Sequence, residues 1–431
     1  MNKVKIPAIV TSLFILLSRP LAADETPFGP QPGDVYREYI QYMYWPKEWR
    51  VSDPETEQPR AIRDYLPNPV LPIYIDDMTG AIRAEAQMDR WGGHVGTSGK
   101  RVRFNDNDWI DLPELTTTPD NQDPLCFFYE DNPIVAVPLA HLREGENTFE
   151  GTADEQVCHS FGWGQWGWYM MIVRVYFEKS VSHPEARITS PQSGVTLAEN
   201  PTLSVDAKSE AGIERVDFLA HYNGFDENGD GIYGDWHHNY HFLYRTLEGG
   251  IQDHIGSVTS APYDVVWDTK WIPDQPEGSM KIAVRILDKG GMWYVTDAVE
   301  GISLQREDTT VAMYTSFEIP ENFRTRMNNK KTCKFLIPNA TDMSAAVEAA
   351  IHIRTWNGAH ENVILNGWTT PIDGEDHDFA YNIRDFPAGK LHSGENLFEF
   401  ISDTHHHGPE ILWPGPAVTV RFTKNRTVNN E

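Results

Sequence analysis

An internal repeat constrains this 431-residue chain more than any other feature. In residues 91–94 and again in 356–360, a tryptophan is followed closely by a glycine and a histidine. The segment Leu-Arg-Glu-Gly-Glu-Asn-Thr-Phe-Glu at 142–150 returns as Leu-His-Ser-Gly-Glu-Asn-Leu-Phe-Glu at 391–399. Each copy then reaches an aromatic, glycine-rich loop and a final alternating segment. Shared landmarks in one order predict two copies of one structural unit.

Short runs of alternating apolar and polar residues predict that these units consist of β-strands. Residues 173–177 and 418–422 alternate strictly, and clusters of Gly, Pro, Asn and Asp separate such runs along the chain. Helical periodicity is confined to two short stretches, 35–44 and 342–350. This pattern predicts an all-β protein.

Two resemblances divide the chain into domains. The Gly-Glu-Asn turn before a late aromatic strand resembles the jelly-roll, galactose-binding-like modules of glycan-active proteins. Between the copies, Ile188-Thr-Ser-Pro191, Ala261-Pro-Tyr263 and Trp267-Asp268 resemble the bacterial Ig-like domains of extracellular proteins. The resemblance implies three β-sandwich domains, at 24–180, 185–305 and 306–424. The middle one is interrupted by an insertion at 223–255, and long insertions in compact modules are often functional.

The N-terminus predicts export. Residues 1–23 have two early lysines, a short apolar run and a Leu-Ala-Ala end, as in a signal peptide. No later segment is apolar enough for membrane insertion. The expected location is therefore periplasmic or extracellular.

The net charge limits the classes of binding partner, and the cysteines indicate which thiols can be oxidised. With 36 Lys and Arg against 63 Asp and Glu, the net charge of −27 disfavours nucleic acid and favours cations. In an oxidising compartment Cys126 and Cys158 can form a disulfide because both lie in the first domain, leaving Cys333 as a buried thiol. Three buried free thiols are the alternative.

The insertion contains a candidate calcium loop. Oxygen ligands at alternate positions, followed by a glycine that permits a sharp turn, are the ligands that Ca²⁺ requires. The candidate metal ligands are Asp226, Asn228, Asp230, the Ile232 carbonyl and Asp235. His237 occupies the position where an EF-hand has its bidentate glutamate, so the loop is not an EF-hand. An acidic, glycine-rich turn without an ion is the alternative.

Three histidines are candidates for acid–base catalysis: His237 and His241 in the insertion, and His406 near the C-terminus. Strand alternation points His237 and His241 the same way, but two histidines do not complete a zinc site. His406 lies in an Asp, His and Glu cluster at 403–410, which suits an acid–base or a metal site. Polar loop residues without chemistry are the simpler interpretation for the insertion.

The aromatic loops predict carbohydrate binding. Apolar faces of sugar rings stack on tryptophan, while polar side chains bind hydroxyl groups. The candidate carbohydrate-binding residues are Trp163, Trp166, Trp168, Trp413, His405, His406 and His94. Packing of the loops over the sandwich ends is the structural alternative, and buried Trp91 and Trp356 would pin their turns.

The leading hypothesis is an exported, non-catalytic, glycan-binding protein with a calcium-ordered loop. A polysaccharide lyase or glycoside hydrolase that uses the histidine-rich loops is the rival, and a surface scaffold is the third possibility. The sequence leaves the oligomeric state open.

Overall fold

The computed structural model describes residues 29–42, 50–55, 68–115, 124–159, 163–237, 240–242, 249–251, 253–356, 361–372, 379–405 and 408–424. Within these ranges the chain consists of β-strands and turns, which confirms the all-β prediction. The helices described there are single 3₁₀ turns: Pro124–Cys126, Leu139–His141, Met343–Ala345 and Ala388–Lys390. None of the described helices is long and apolar enough to cross a membrane.

The N-terminal sandwich, residues 35–177, has two facing sheets. Its strands are β1 (Val35–Tyr42), β2 (Arg50–Ser52), β3 (Leu71–Ile75), β4 (Ala81–Trp91), β5 (Arg101–Phe104), β6 (Ile110–Asp111), β7 (Glu130–Asp131), β8 (Ile134–Ala136), β9 (Gly145–Thr152) and β10 (Gln165–Phe177). One sheet runs β1-β10-β4, with β2 paired to β10 and with β7 and β8 paired to β4. The other runs β3-β9-β5-β6.

The central sandwich, residues 185–304, carries the insertion. Its strands are β11 (Glu185–Ser190), β12 (Thr196–Leu197), β13 (Thr202–Lys208), β14 (Ile213–Asn223), β15 (Gly234–His237), β16 (Tyr240–Phe242), β17 (Gly249–Ile251), β18 (Gly256–Val258), β19 (Tyr263–Val266), β20 (Met280–Asp288), β21 (Trp293–Val295) and β22 (Val299–Leu304). One sheet is β11-β13-β19, and the other contains β12, β22, β20, β21 and β14, with β15 and β18 on β14. Strands β16 and β17 form a separate hairpin within the insertion.

The C-terminal sandwich, residues 309–423, repeats the first in its strand order. Its strands are β23 (Thr309–Phe317), β24 (Lys331–Ile337), β25 (Ala346–Trp356), β26 (Glu361–Leu365), β27 (Trp368–Ile372), β28 (Phe379–Phe386), β29 (Gly394–Ser402), β30 (Glu410–Ile411) and β31 (Ala417–Thr423). The order β23-β31-β25-β28 matches β1-β10-β4-β8, and β24-β29-β26-β27 matches β3-β9-β5-β6. In the second copy β23 also pairs with β24, so its strands form one continuous sheet, with β30 on β25. The repeat in the sequence is therefore also a repeat in topology.

The repeated Gly-Glu-Asn turn has a structural role that is the same in both copies. Asn147 is fully buried; its Oδ1 accepts from the Arg143 amide at 2.9 Å and its Nδ2 donates to the Arg143 carbonyl at 2.7 Å. Asn396 makes the equivalent bonds with His392, at 3.1 and 2.8 Å. We call this arrangement the asparagine latch; it fixes the turn by satisfying buried backbone groups.

Both stretches with helical periodicity are strands in the structure. Residues 35–42 form β1, which pairs with β10 along its whole length. Asp342 caps a single 3₁₀ turn, after which the chain continues as β25. The short helical periodicity does not give a helix in either stretch, because pairing with distant strands overrides a short local pattern.

The three sandwiches do not form separate cores and sheets. One hydrophobic core runs through the N-terminal and C-terminal sandwiches, and a second fills the central sandwich. Strand β1 pairs with β21 at Val35–Tyr294 and Tyr36–Trp293, so one sheet continues from the central sandwich into the N-terminal one. The sequence did not predict this continuity.

Cys126 and Cys158 form a disulfide, and Cys333 is a buried free thiol. The Cys126 carbonyl accepts a hydrogen bond of 3.0 Å from the Asn322 amide, so the bridged loop also contacts the C-terminal sandwich.

Candidate functional site

The four tryptophans predicted to bind sugars are buried. Trp163 is 6% exposed, Trp166 and Trp168 are 0% exposed, and Trp413 is 2% exposed. The sugar-stacking role predicted for them needs correction, because a ring without an open face cannot stack on a ligand from solvent.

These rings pack inside the sandwiches and between them. Trp166 and Trp168 lie 5.3 Å apart, and the Trp166 Nε1 donates to the Thr152 carbonyl at 3.0 Å. Trp413 lies 4.8 Å from Phe127 of the N-terminal sandwich, and its amide donates to the Phe128 carbonyl at 2.7 Å. The loop end of the second copy therefore packs against the first copy instead of facing solvent.

The ends of the N-terminal and C-terminal sandwiches meet, and partly exposed polar and aromatic side chains line the edge of this contact. We call this edge the seam, and its residues are Arg50, Trp91, His94, Arg324, Trp356 and Glu410. Glu410 is buried and the other five are half-buried. Trp91 and Trp356 are equivalent positions of the repeat, each at the end of a long strand.

The C-terminal sandwich contributes three side chains that share one face. Trp356 of β25 is the register partner of Glu410 of β30, and Glu410 in turn bridges to Arg324. Residues directly opposite each other across antiparallel strands project on the same side. The Arg324 guanidinium lies 5.7 Å from the centre of the Phe128 ring, which brings it to the N-terminal sandwich.

The N-terminal sandwich contributes the other three residues of the seam. The Arg50 guanidinium lies 5.7 Å from the centre of the Trp91 ring. The His94 ring is 4.6 Å from the Trp163 ring, and its Nδ1 is 3.4 Å from the Trp163 carbonyl. His94 is thus the one predicted carbohydrate-binding residue, among those described here, that lies in the seam.

Burial sets the charge of the seam. It raises the pKa of Glu410 to about 8, although the charge of Arg324 acts in the opposite direction. Burial lowers the pKa of His94 to about 4, and the charges of Arg50 and Arg324 lower it further. At neutral pH the carboxyl is therefore mostly protonated and the imidazole neutral, so the arginines supply the charge.

The calcium-loop candidates lie against Arg354 and Glu130, a contact between the two flanking sandwiches. A Cβ on Gly229 would lie 2.0 Å from the Arg354 Nη1 and 2.4 Å from the Glu130 carbonyl oxygen, so only glycine fits there. Arg354 and Glu130 are a buried ion pair between the two flanking sandwiches, 2.9 Å from Nη2 to Oε2. The loop of the central sandwich thus rests on a contact between the other two.

Within the loop the carboxylates accept backbone hydrogen bonds. Asp226 accepts from the amides of Gly229 and Gly231 at 2.8 and 2.7 Å, and Asp230 from the Ile232 amide at 2.7 Å. Burial raises the pKa of Asp226 to about 8, and the charge of Asp230 raises it further. Burial likewise raises the pKa of Asp230 to about 6. These are buried carboxylates that a cation would stabilise.

The remaining predicted ligands are arranged less tightly. Asn228 donates from Nδ2 to Asp230 at 3.0 Å, while Asp235 is exposed on β15. In the described residues, no three His, Cys, Asp or Glu side chains converge on a point where they could hold a metal ion. The Asp226 loop fits Ca²⁺ only with the Asn228 side chain and the Ile232 carbonyl as further ligands.

His237 is held in a structural ion pair. Its Nδ1 lies 2.5 Å from the Asp253 carboxylate, and its Nε2 lies 3.2 Å from the Tyr222 carbonyl. Burial acts to lower the pKa of His237, but the charges of Asp253 and Glu227 outweigh it and raise the pKa to about 9. His237 is buried and protein groups occupy both of its ring nitrogens, so the structure does not support His237 as the acid–base candidate that the sequence offered.

The other histidine predictions are only partly covered by the described residues. His241 lies on β16, which contacts β4, but its side chain is outside the described residues, as is the whole of His406. His405 is exposed, in a segment that runs beside residues 322–327.

Sequence reasoning did not find Arg50 or Arg324. Neither lies in a repeated landmark or a recognisable motif. Arg324 joins the seam only through its bridge with Glu410, and the sequence carries no signal for that contact. Glu410 was within the Asp, His and Glu cluster that the sequence indicated.

Comparison with known proteins identifies one part of the chain. The bacterial Ig domain family matches residues 184–284. No curated protein matches the sequence.

Several solved structures resemble the chain distantly. They include a β-porphyranase of glycoside hydrolase family 86 from Bacteroides plebeius (10% identity, 57% of this chain, 38% of that one, TM-score 0.22). Fibronectin(III)-like modules of Clostridium thermocellum CbhA match with 15% identity over 52% of this chain and 98% of theirs, at a TM-score of 0.18. Carbohydrate-binding modules of the β-sandwich superfamily match with 10% identity over 56% of this chain and 92% of theirs, at a TM-score of 0.15. The chain thus spans well under half of the porphyranase, and TM-scores this low carry no argument about ligand or activity.

Proposed function

We propose that this chain is an exported, non-catalytic carbohydrate-binding protein whose ligand site is the seam. The observation that carries the proposal is a pair of half-buried, repeat-equivalent tryptophans near one interdomain ion pair: Trp91 is the register partner of Glu130, and Trp356 lies two residues after the Arg354 that pairs with Glu130. Each stands beside groups that bind hydroxyls, Arg50 and His94 on one side and Arg324 and Glu410 on the other.

The chemistry of the seam suits a sugar. A partly open indole ring offers an apolar surface to the C–H face of a pyranose, and a few fixed polar groups orient its hydroxyls. Neutral His94 can donate and accept, and protonated Glu410 can donate. The proposal replaces the loop-end tryptophans of the sequence prediction with the two at the strand ends.

Binding is a better fit to the seam than hydrolysis. Most glycoside hydrolases place two carboxyl groups on either side of the scissile bond. Glu410 is one such group, but Glu130, the carboxyl opposite Trp91 in register, is engaged by Arg354. The proposal therefore assigns recognition to the seam and no reaction.

The proposal includes a Ca²⁺ ion in the Asp226 loop. Support comes from the buried carboxylates of Asp226 and Asp230, whose pKa values are raised, and from the glycine at 231 with a φ of +87°. The ion would bind to the carboxylates, the Asn228 side chain and the Ile232 carbonyl, and would neutralise charge beside the interdomain contact. Export rests on the signal-peptide pattern at 1–23.

A glycan array probed with the full chain tests the function. We expect binding to at least one polysaccharide class, and at least a tenfold loss of affinity in Trp91→Ala and in Trp356→Ala. Trp109→Ala is the matched control, since Trp109 is exposed in the loop that precedes β6 of the N-terminal sandwich. No binding to any plant, algal or microbial glycan, with or without calcium, would overturn the proposal.

A further inference from the structure

We propose that the seam selects acidic saccharides, those bearing a carboxylate or a sulfate ester, and that Arg324 is the residue that binds the acidic group. This inference rests on the proposed function and specifies its ligand class.

The guanidinium of Arg324 is the starting observation. It is half-buried, and among the described residues its side chain makes no hydrogen bond and no ion pair, although its charge acts on His94 and Glu410. Its close neighbours are the Phe128 ring and the Glu410 strand. Buried charges in proteins are normally paired because desolvation without a partner is costly. By contrast Arg354, equally close to the interdomain contact, is paired with Glu130 at 2.9 Å.

Glu410 does not act as the counterion of Arg324. The two residues are bridge partners along the backbone, yet their side chains form no ion pair. The pKa of the Glu410 carboxyl is raised to about 8, so at neutral pH it is mostly uncharged. Within the described part of the chain, the Arg324 guanidinium at the seam therefore has no carboxylate in an ion pair with it.

The positive charge of Arg324 stands out because the chain as a whole is strongly acidic. The net charge is −27, and a general attraction for anions is absent. A local positive group in a half-buried position then selects one acidic group at a defined place instead of attracting polyanions broadly.

The shape of the guanidinium specifies the chemistry of that group. Its planar fork of N–H donors matches a carboxylate or a sulfate with two parallel hydrogen bonds. The protonated Glu410 and the neutral His94 add neutral hydrogen-bonding groups beside it, which suit the hydroxyls of the same sugar. Trp356, on the same face as Glu410, offers the apolar surface.

Binding calorimetry with matched pairs of oligosaccharides tests the proposal. One pair is oligogalacturonate and its fully methyl-esterified form, and the other is a sulfated galactan oligosaccharide and its desulfated form. We expect the acidic member of at least one pair to bind at least tenfold more tightly, and the pair that shows this identifies carboxylate or sulfate as the group. In Arg324→Gln the preference disappears, and in Arg324→Lys it is reduced but retained.

Arg326→Gln is the control, because Arg326 is two residues away on the same segment and exposed. Thermal unfolding of each variant separates loss of binding from loss of folding. Should Arg324→Gln not fold, the salt dependence of wild-type and Arg324→Lys binding decides, since an ionic contact weakens as salt rises.

Equal affinity for the two members of both pairs would overturn this inference while leaving carbohydrate binding intact. Binding of poly-glutamate as tight as that of the acidic saccharides would show an acidic-peptide site and would also overturn it. Failure of every saccharide, here and on the array, would remove the proposed function itself.

Discussion

One residue that differs between the two copies creates a buried ion pair between them. Arg354 occupies the repeat position of Asp89, two residues before the equivalent tryptophans. In the structure Arg354 pairs with Glu130, next to Trp91 in register, and both partners are almost fully buried. Two identical copies would have placed like charges at this contact, so the divergence of one residue makes the ends complementary.

Arg354→Met should destabilise the protein by about 3–5 kcal/mol, because it leaves the Glu130 carboxylate buried without its partner. The control is Arg187→Met, where the partner Asp206 is 3.9 Å away and both side chains are about 80% exposed. Exposed pairs contribute little, so the control should change the free energy of unfolding by less than about 0.5 kcal/mol. Urea denaturation measures both, and similar small effects would contradict the interdomain role.

His352 should make the stability fall in acid. Its ring bonds Tyr381 and Thr419 at 2.8 and 2.9 Å, and burial lowers its pKa from 6.5 to about 3. Below pH 6.5 the histidine is protonated in the unfolded chain but stays neutral in the folded chain. Its contribution to the free energy of unfolding is therefore complete above pH 6.5 and is lost towards pH 3. When the pH falls from 7 to 4.5, the free energy of unfolding, measured by urea denaturation, should decrease by about 2–3 kcal/mol less in His352→Gln than in wild type. Equal losses would contradict the burial of a neutral ring.

At the scale of elements, both the latch and the acidic loop hold backbone in place with polar side chains. The asparagine latch recurs because each copy must close the same turn between the same two strands. The acidic loop occurs once and is closed by Asp226, which accepts amides from residues three and five positions later.

Asn147→Ala and Asn396→Ala should each destabilise the chain by about 2–3 kcal/mol, since each removes several buried hydrogen bonds and leaves their partners unsatisfied. Glu146→Ala is the neighbouring control, because Glu146 is exposed on the same strand. Thermal melts compare the three, and a latch variant as stable as the control would show that the turn closes without it.

Calcium should raise the melting temperature of the wild-type chain, and chelation should lower it, because a ligand that binds only the folded state stabilises it. Asp226→Asn combined with Asp230→Asn should abolish the response. Asp264→Asn, an exposed aspartate in the same sandwich, should keep it. An unchanged melting temperature across calcium concentrations in wild type would argue for an ion-free turn.

At the scale of the whole molecule, the sandwiches share a core and a sheet. The core connects the first and last sandwiches, and the β1–β21 pairing connects the first and the central ones. Scanning calorimetry of the full chain should therefore give one cooperative transition, since no sandwich can unfold without exposing apolar surface of another. Three separated transitions would contradict this coupling.

The sequence predicted the features that depend on local residue patterns. Alternation predicted the all-β class, and the repeated Gly-Glu-Asn turn predicted a shared unit whose strand order is now seen twice. The sequence could not predict that Trp166 and Trp413 are buried, because an aromatic loop has the same sequence pattern whether it faces solvent or packs against another copy. It could not predict the seam either, since Arg324 reaches Glu410 and Phe128 only through packing of distant segments.

The β1–β21 pairing bears on how fragments of this chain are prepared. The family match stops at residue 284, midway along β20, and would omit β21 and β22 from a recombinant piece. A cut after residue 180 would instead leave β1 with an unpaired border next to Tyr36 and Tyr176. Bare strand borders invite self-association, so pieces cut at either place should precipitate where the intact polypeptide stays dissolved.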